Sequence, residues 1–327
     1  MANDTRVRPH GRSRALLVLT AKLALVAALT WLAVRGIALE AVMAALSRIP
    51  VSSMLLALAL QGLAILAAAV RWQVALAVCG LHMPVGRTVE IFLVSSFLGT
   101  ALPAGIGQDV IRVYATAKDS DSAGGRLARS TMSVVVDRIA GLAGFGLLSL
   151  PALATTLRGG TAATGSCAAA LDGLPAISAS ILVPSLLGSM LIAALAAIRW
   201  RAVLLGALTT VIDLAARHWI RLMAIAGLSL LIVMLTTLLV YAIGRDLVPD
   251  APLRDYLIFV PLIALLAQLP VSVLGLGVRE AGFIFLFACD SADRADVLAL
   301  SLTYFGVGLV AGLAGGAALL RRRSRDV

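Results

Sequence analysis

Six stretches of this chain, 15–35, 51–79, 130–153, 178–198, 222–243 and 297–320, are dominated by apolar residues for more than twenty positions each. An α-helix rises about 1.5 Å per residue, so each run can cross a hydrocarbon core of roughly 30 Å. The runs are rich in Ala and Leu and do not alternate apolar with polar residues, which excludes a membrane β-barrel. Charged residues make up 13% of the chain, against about 25% in a soluble domain. These features predict an all-α polytopic membrane protein.

Two further apolar runs, 88–103 and 257–289, are interrupted by sequences that echo each other. The first interruption reads Leu102-Pro103-Ala104-Gly105-Ile106-Gly107-Gln108-Asp109-Val110-Ile111-Arg112. The second reads Leu269-Pro270-Val271-Ser272-Val273-Leu274-Gly275-Leu276-Gly277-Val278-Arg279-Glu280. Each opens Leu-Pro, passes two glycines and places an Arg nine residues after the Pro, with a carboxylate close by. Pro breaks the helix that precedes it. Paired Gly/Pro interruptions in two halves of a membrane chain point to a transporter's binding site.

Loop charge sets the expected topology. Arg6, Arg8, Arg12 and Arg14 precede the first span, and Arg321, Arg322, Arg323 and Arg325 follow the last, so both termini are expected in the cytoplasm. The segment 199–221 is basic and reads as a cytoplasmic loop. Segments 244–256 and 290–296 are acidic and read as external, as does the nearly uncharged 154–177. The order is then span, span, broken hairpin, span, stated twice, with the hairpins entering from opposite faces. This is an inverted repeat of about six full spans and two broken or re-entrant helical hairpins. The domain plan is a basic tail at 1–14, one transmembrane domain at 15–320 with halves 15–153 and 178–320, and a basic tail at 321–327.

Charged groups at membrane depth carry the functional expectation, because each costs a few kcal/mol or more. Arg112 and Arg279 are placed to hold a phosphate by bidentate contacts. Gly105, Gly107, Gly275 and Gly277 allow close backbone approach, and following N–H groups can face an anion. Alternatively these arginines anchor hairpin ends, paired with Asp109 and Glu280, and the glycines only permit tight turns. Asp137 and Arg138 are helix neighbours pointing about 100° apart, so each needs a partner elsewhere. Arg138 either joins the arginine cluster or snorkels to headgroups. Arg71-Trp72 is either an interfacial anchor or part of the cavity. Gly308, Gly312 and Gly316 form a small-residue stripe expected to pack helices, as do Gly141 and Gly144.

Other chemistry is not indicated. Cys79, Cys167 and Cys289 show no paired spacing, and His10, His82 and His218 form no ligand pattern, so neither metal nor cofactor is expected. No nucleophile elbow, phosphate-binding loop or zinc-protease motif occurs. The formal charge of +10 comes from arginines scattered among short loops, which suits lipid headgroups and not nucleic acid.

Taken together, Arg71-Trp72, the two Leu-Pro-Gly-Arg stretches and Asp137-Arg138 make the chain resemble the transmembrane domain of lysylphosphatidylglycerol synthase/flippase proteins over roughly 15–320. That family often has Gly-Gly before the Asp of the first motif, where this chain has Gly107-Gln108, and a Gly near the position of Leu274. The resemblance implies a bacterial inner-membrane protein of flippase type. It also implies that the soluble lysyl-transferring domain of full-length synthases has no room here.

The first expectation for function is a non-enzymatic lipid translocase, moving a phosphate-bearing lipid between leaflets. Its ligand would be a phospholipid or a polyprenyl-phosphate-type lipid. Arg112, Arg279, Arg138 and Arg71 would bind it, and Asp109 and Glu280 would orient them. The alternatives are a membrane enzyme on a lipid-linked substrate with Asp109 or Glu280 as base, or a partner subunit of a lipid-modifying glycosyltransferase. A homo-oligomer or a lipid-modifying enzyme partner fits either reading.

Overall fold

The structure, a computed structural model, describes residues 31, 35–99, 106–119, 125–157, 201–268, 277–287 and 292–323. All of span 15–35 but Trp31 and Arg35, span 178–198, Gly105, Gly275, both Leu-Pro pairs, Cys167 and Cys289 lie outside these residues.

The described residues form helices and no strand: α1 (Leu39–Ser47), α2 (Val51–Val78), α3 (Val85–Gly99), α4 (Ile106–Asp119), α5 (Arg126–Leu157), α6 (Arg201–Leu247), α7 (Leu253–Ala267), α8 (Val278–Phe287) and α9 (Arg294–Arg323). Four stretches are long and apolar enough to cross a membrane: Val51–Val78, Arg126–Ser149, Arg217–Leu247 and Arg294–Leu320. These are the expected spans that fall within the described residues, and the chain is a polytopic helical membrane protein.

Local chemistry sets the ends. α2 follows Pro50 and closes at Gly80, whose φ of +73° suits glycine. Leu81 N–H donates to Leu76 O at 2.9 Å and Gly80 N–H to Ala77 O at 3.3 Å, so the last carbonyls of α2 are satisfied by a Schellman turn.

Three elements differ from expectation. The segment 199–221 is not a loop: helix α6 begins at Arg201, with a non-helical break at His218 (φ −129°, ψ 31°). Its Arg residues supply the charge that read as a loop. The first hairpin is a pair of helices, α3 and α4. The apolar arm α3 was legible, whereas α4 carries Gln108, Asp109, Arg112 and Lys118 and hid its helical character behind its charge. The short helix α1 was not anticipated.

The packing repeats between halves. Label the first half α2 to α5 and the second α6 to α9. α3 lies against α4, and α7 against α8; α4 against α5, and α8 against α9. α2 touches α3 and α5, as α6 touches α7 and α9. Across the halves, α3 packs on α9 and α7 on α5, α5 packs on α6 and α9 on α2, and α2 packs on α6. Exchanging the halves leaves this pattern unchanged. The sequence offset agrees, since 253 minus 85 and 294 minus 126 both give 168 for the starts of α7 over α3 and α9 over α5.

The equivalent helices run in opposite directions. Arg221 Nη1 donates to Ala77 O at 2.9 Å and Arg71 Nη1 to Ser229 Oγ at 3.2 Å, so rising numbers in α6 meet falling numbers in α2. α5 starts at the end of the bundle where α2 finishes, since Val136 clusters with Ala75 and Val78. α9 starts at the opposite end, where Arg48 pairs with Asp296. The repeat is therefore inverted.

The main apolar core joins α6 to α9 with the starts of α1 and α2, through Ala57, Leu239, Ile243, Tyr256, Phe283 and Leu300. Two smaller clusters, around Trp72 and Phe92 and around Val136 and Ile225, hold the end of α2 to α3, α5 and α6. The glycine stripe of α9 is met in part. A Cβ at Gly308 or Gly312 would meet nothing within 4 Å among the described residues, whereas one at Gly316 would lie 3.1 Å from Phe97. The closest helix contact is made by Gly315, outside the stripe, where a Cβ would collide with Leu93 O.

Candidate functional site

Asp137 sits midway along the span Arg126–Ser149, about 16 Å from its start. It is 2% exposed. Its Oδ1 accepts from Arg71 Nε at 2.8 Å and its Oδ2 from Arg112 Nη1 at 3.1 Å. One carboxylate thus joins α2, α4 and α5. Arg71 also donates to Ser229 on α6, whose hydroxyl in turn donates to Ile225 O at 2.9 Å. The Arg71 guanidinium lies against Gly141, where a Cβ would approach it to 3.4 Å, so the absent side chain leaves it room.

Arg112 lies against two aromatic rings whose centres stand at roughly a right angle as seen from its guanidinium. Its guanidinium carbon lies 4.0 Å from the Phe92 ring centre and 5.2 Å from that of Trp72. Trp72 is fully buried and is no interfacial anchor; it forms the aromatic floor under Arg112. Such contacts contribute about 0.5–2 kcal/mol each. The Arg112 Nε–H is buried and has no hydrogen-bond partner among the described residues.

Arg138, the next residue on α5, turns to a second carboxylate. Its Nε and Nη2 donate to Asp109 Oδ2 and Oδ1, both at 2.9 Å, a bidentate fork. Asp137 and Arg138 thus find separate partners, as their angular separation requires. Asp109 pairs with Arg138 and not with Arg112. The set Arg71, Arg112 and Arg138 against Asp109 and Asp137 carries one excess positive charge. The first three charges and both carboxylates lie on α2, α4 and α5, with Gly107 buried in the first turn of α4.

The second motif makes a different arrangement. Glu280 Oε1 accepts from Arg279 Nε at 3.1 Å and from its Nη2, and Ser301 Oγ of α9 lies 3.3 Å from the same oxygen. Glu280 Oε2 accepts the Gly277 N–H at 2.7 Å. That is one half of a capping box, so this glycine N–H is committed to the helix and not offered to an anion. Gly277 has φ +82°. The Arg279 guanidinium lies 4.7 Å from the Phe305 ring centre and 5.9 Å from that of Tyr304. Among the described residues no hydrogen bond or ion pair links this set to that of Asp137.

The matched spacing from Pro therefore does not give matched surroundings. Asp109 and Glu280 both stand in the first turn of their helices, where the dipole favours a carboxylate. Arg279 is the second residue of α8, whereas Arg112 lies nearly two turns into α4. The stretch of α9 that matches Asp137-Arg138, at the offset of 167 of the motifs or 168 of the helix starts, is Tyr304-Phe305-Gly306 and carries no charge. The repeat is inverted in shape and unequal in charge.

A protein-family model described as lysylphosphatidylglycerol synthase TM region matches residues 19–316. The chain belongs to this family. A search of curated proteins found no match. Membership makes the chain a membrane protein related to lipid modification or translocation, and both charged sets lie inside the matched range. Sequence reasoning found the charged members but missed Ser229, Ser301 and Phe92. Ser229 could have been noticed as one of the few polar residues, with Thr236 and Thr237, in the apolar run 222–243; Phe92 carried no signal distinguishing it from other core aromatics.

Proposed function

We propose that the protein is a lipid translocase that moves a phosphate-bearing lipid between leaflets of a bacterial inner membrane, with both termini in the cytoplasm. The observation that carries this reading is the cluster around the buried mid-span Asp137, in which Arg71, Arg112 and the partly exposed Arg138 outnumber Asp109 and Asp137. A charge at this depth is retained only where it has work to do or a partner, and here two arginines share the single carboxylate of Asp137, leaving one positive charge in excess. The headgroup phosphate supplies the missing anion while the tails remain in the bilayer. Arg112 is the principal contact, because a planar guanidinium held against two rings has few orientations in which to present its N–H edge to a tetrahedral anion. Arg71 and Arg138 flank it. Arg279 and Glu280 order the second hairpin at its own carboxylate.

The reading makes the protein a carrier and not an enzyme. Asp109 and Glu280, the two carboxylates that could serve as a base, have their oxygens committed to guanidinium and N–H donors. A lipid-modifying enzyme that loads or consumes the lipid is the natural partner.

The test uses purified protein in liposomes carrying fluorescent phosphatidylglycerol, with dithionite bleaching of the outer leaflet. Bleaching beyond the outer-leaflet half, lost in Arg112→Gln at equal incorporation, is expected. Bleaching that stops at half with folded wild-type protein removes the reading.

A further inference from the structure

Asp137 has more to explain than an ion pair. It is the only carboxylate among the described residues that holds two arginines from two different helices, one on each oxygen. The inverted fold does not require it: the matching stretch of α9, Tyr304-Phe305-Gly306, carries no carboxylate, and Arg279 is accommodated against its rings and by its own neighbour Glu280. Geometrically, the Asp137 carboxylate is an anion with two oxygens in contact with Arg71 and Arg112, in the place where the first half concentrates positive charge. A phosphodiester presents the same feature, two anionic oxygens on one centre, to the same donors.

We propose that Asp137 is a resident counter-anion, which occupies the phosphate seat of the empty site and gives up Arg112 to the incoming headgroup. This rests on the translocase reading above. The exchange makes and breaks no covalent bond. Asp137 Oδ2 releases the Arg112 Nη1–H while Oδ1 keeps Arg71, whose second anchor is Ser229. Arg112 meets the phosphate with that N–H and with its Nε–H, which is buried and uncommitted beforehand. Phe92 and Trp72 keep the guanidinium in place during the exchange. The carboxylate then competes for the arginine at the end of the cycle and drives the lipid out. Asp137 thus sets affinity and release, not merely local order. A seat with no internal competitor would bind its cargo and keep it.

The experiment measures binding of dioctanoyl phosphatidylglycerol, and of glycerol phosphate as the free headgroup anion, to detergent-purified full-length chain. Wild type, Asp137→Asn and Arg112→Gln are compared at matched folded amounts. Asp137→Asn is expected to bind the lipid about tenfold more tightly, in line with losing one charge-assisted competitor. Its lipid off-rate and its flipping rate in liposomes should both fall. A purely structural Asp137 predicts the opposite, weaker binding. Equal or weaker binding in Asp137→Asn, with wild type binding and Arg112→Gln not, overturns this inference and leaves the translocase reading standing. Failure of wild type and Asp137→Asn alike to bind either probe overturns both. Tightening for glycerol phosphate but not for the lipid also overturns it, since the seat would then serve a soluble anion. Removing Asp137 strands two buried charges, so Asp137→Asn can fail to fold. In that event Arg71→Gln/Asp137→Asn, in which the net charge is kept, is compared with Arg71→Gln, and tighter binding by the double variant is the supporting result.

Discussion

Arg138 and Asp109 form a two-point fork, with both N–H···O contacts at 2.9 Å, and this fork ties the mid-span of α5 to the first turn of α4. One residue earlier, Asp137 ties the same two helices through Arg112 in the reverse sense of charge. The crossed pairs fix the rotation of α4 as well as its position. The Arg138 side chain is 37% exposed, so its stability contribution is modest, about 1 kcal/mol or less. Arg138→Lys cannot rebuild the fork. It is expected to leave the melting temperature nearly unchanged while lowering flipping several-fold, measured in liposomes at equal incorporation. A Lys variant with full flipping would remove the fork from the mechanism.

Arg112→Gln and Arg279→Gln should each lower transport, and their effects should add. The matched motifs suggest that both residues grip one phosphate, and shared contact makes double losses smaller than the sum. The structure gives each arginine its own carboxylate and its own aromatic contacts, which makes additivity the expected result. Headgroup affinities of the two single variants and the double variant decide it. The loss at Arg112 should be about 10- to 150-fold, the equivalent of roughly 1.5–3 kcal/mol.

Two glycines on one helix should behave oppositely. A Cβ at Gly315 collides with the Leu93 carbonyl, so Gly315→Ala must push α9 away from α3. A cost of about 1–3 kcal/mol is expected, as for overpacking elsewhere. Gly312→Ala meets nothing within 4 Å and should be neutral or slightly stabilising through helix propensity. Thermal unfolding in detergent distinguishes them, and equal effects would contradict the packing described for α9.

Gly277→Ala should destabilise the second hairpin by about 1–2 kcal/mol, because φ of +82° is strained for any residue with a Cβ. The N–H to Glu280 contact is retained in this variant, so the loss isolates backbone strain. Stability equal to wild type would show that the hairpin relaxes around the new residue.

Topology is open to direct labelling. In a Cys-free background, Asp250→Cys should react only with reagent added outside, and a cysteine placed in the N-terminal tail only after permeabilisation. Labelling of position 250 from the cytoplasmic face alone would reverse the orientation inferred from loop charge.

Much of the frame was legible in sequence because the physics of a bilayer is coarse. Uninterrupted apolar length specifies a span, and the spans at Val51–Val78 and Arg294–Leu320 follow from that alone. The broken hairpins were legible from Pro and Gly. What was hidden falls into two kinds. α4 and the first part of α6 are helices with charged sequences, and charge at a helix surface reads the same as charge in a loop. The partners of the arginines depend on how helices rotate against each other. Asp109 stands near Arg112 in sequence yet serves Arg138, while Asp137, 25 positions from Arg112, serves it. The Phe92 and Ser229 contacts depend on the same rotations and left no mark in any local pattern.

The antiparallel pairing of α2 with α6 bears on how such a molecule could alternate. Each is the image of the other under exchange of halves, so they straddle the pseudo-two-fold axis and remain neighbours whichever half adopts the other's conformation. Contacts between them, Arg71 with Ser229 and Arg221 with the end of α2, therefore belong to a fulcrum, while the hairpins on either side are the arms. Were the halves to alternate, Arg71 would stay with the fulcrum while Arg112, on a hairpin, would travel with an arm, so the two arginines that share Asp137 would part or meet as the arms move.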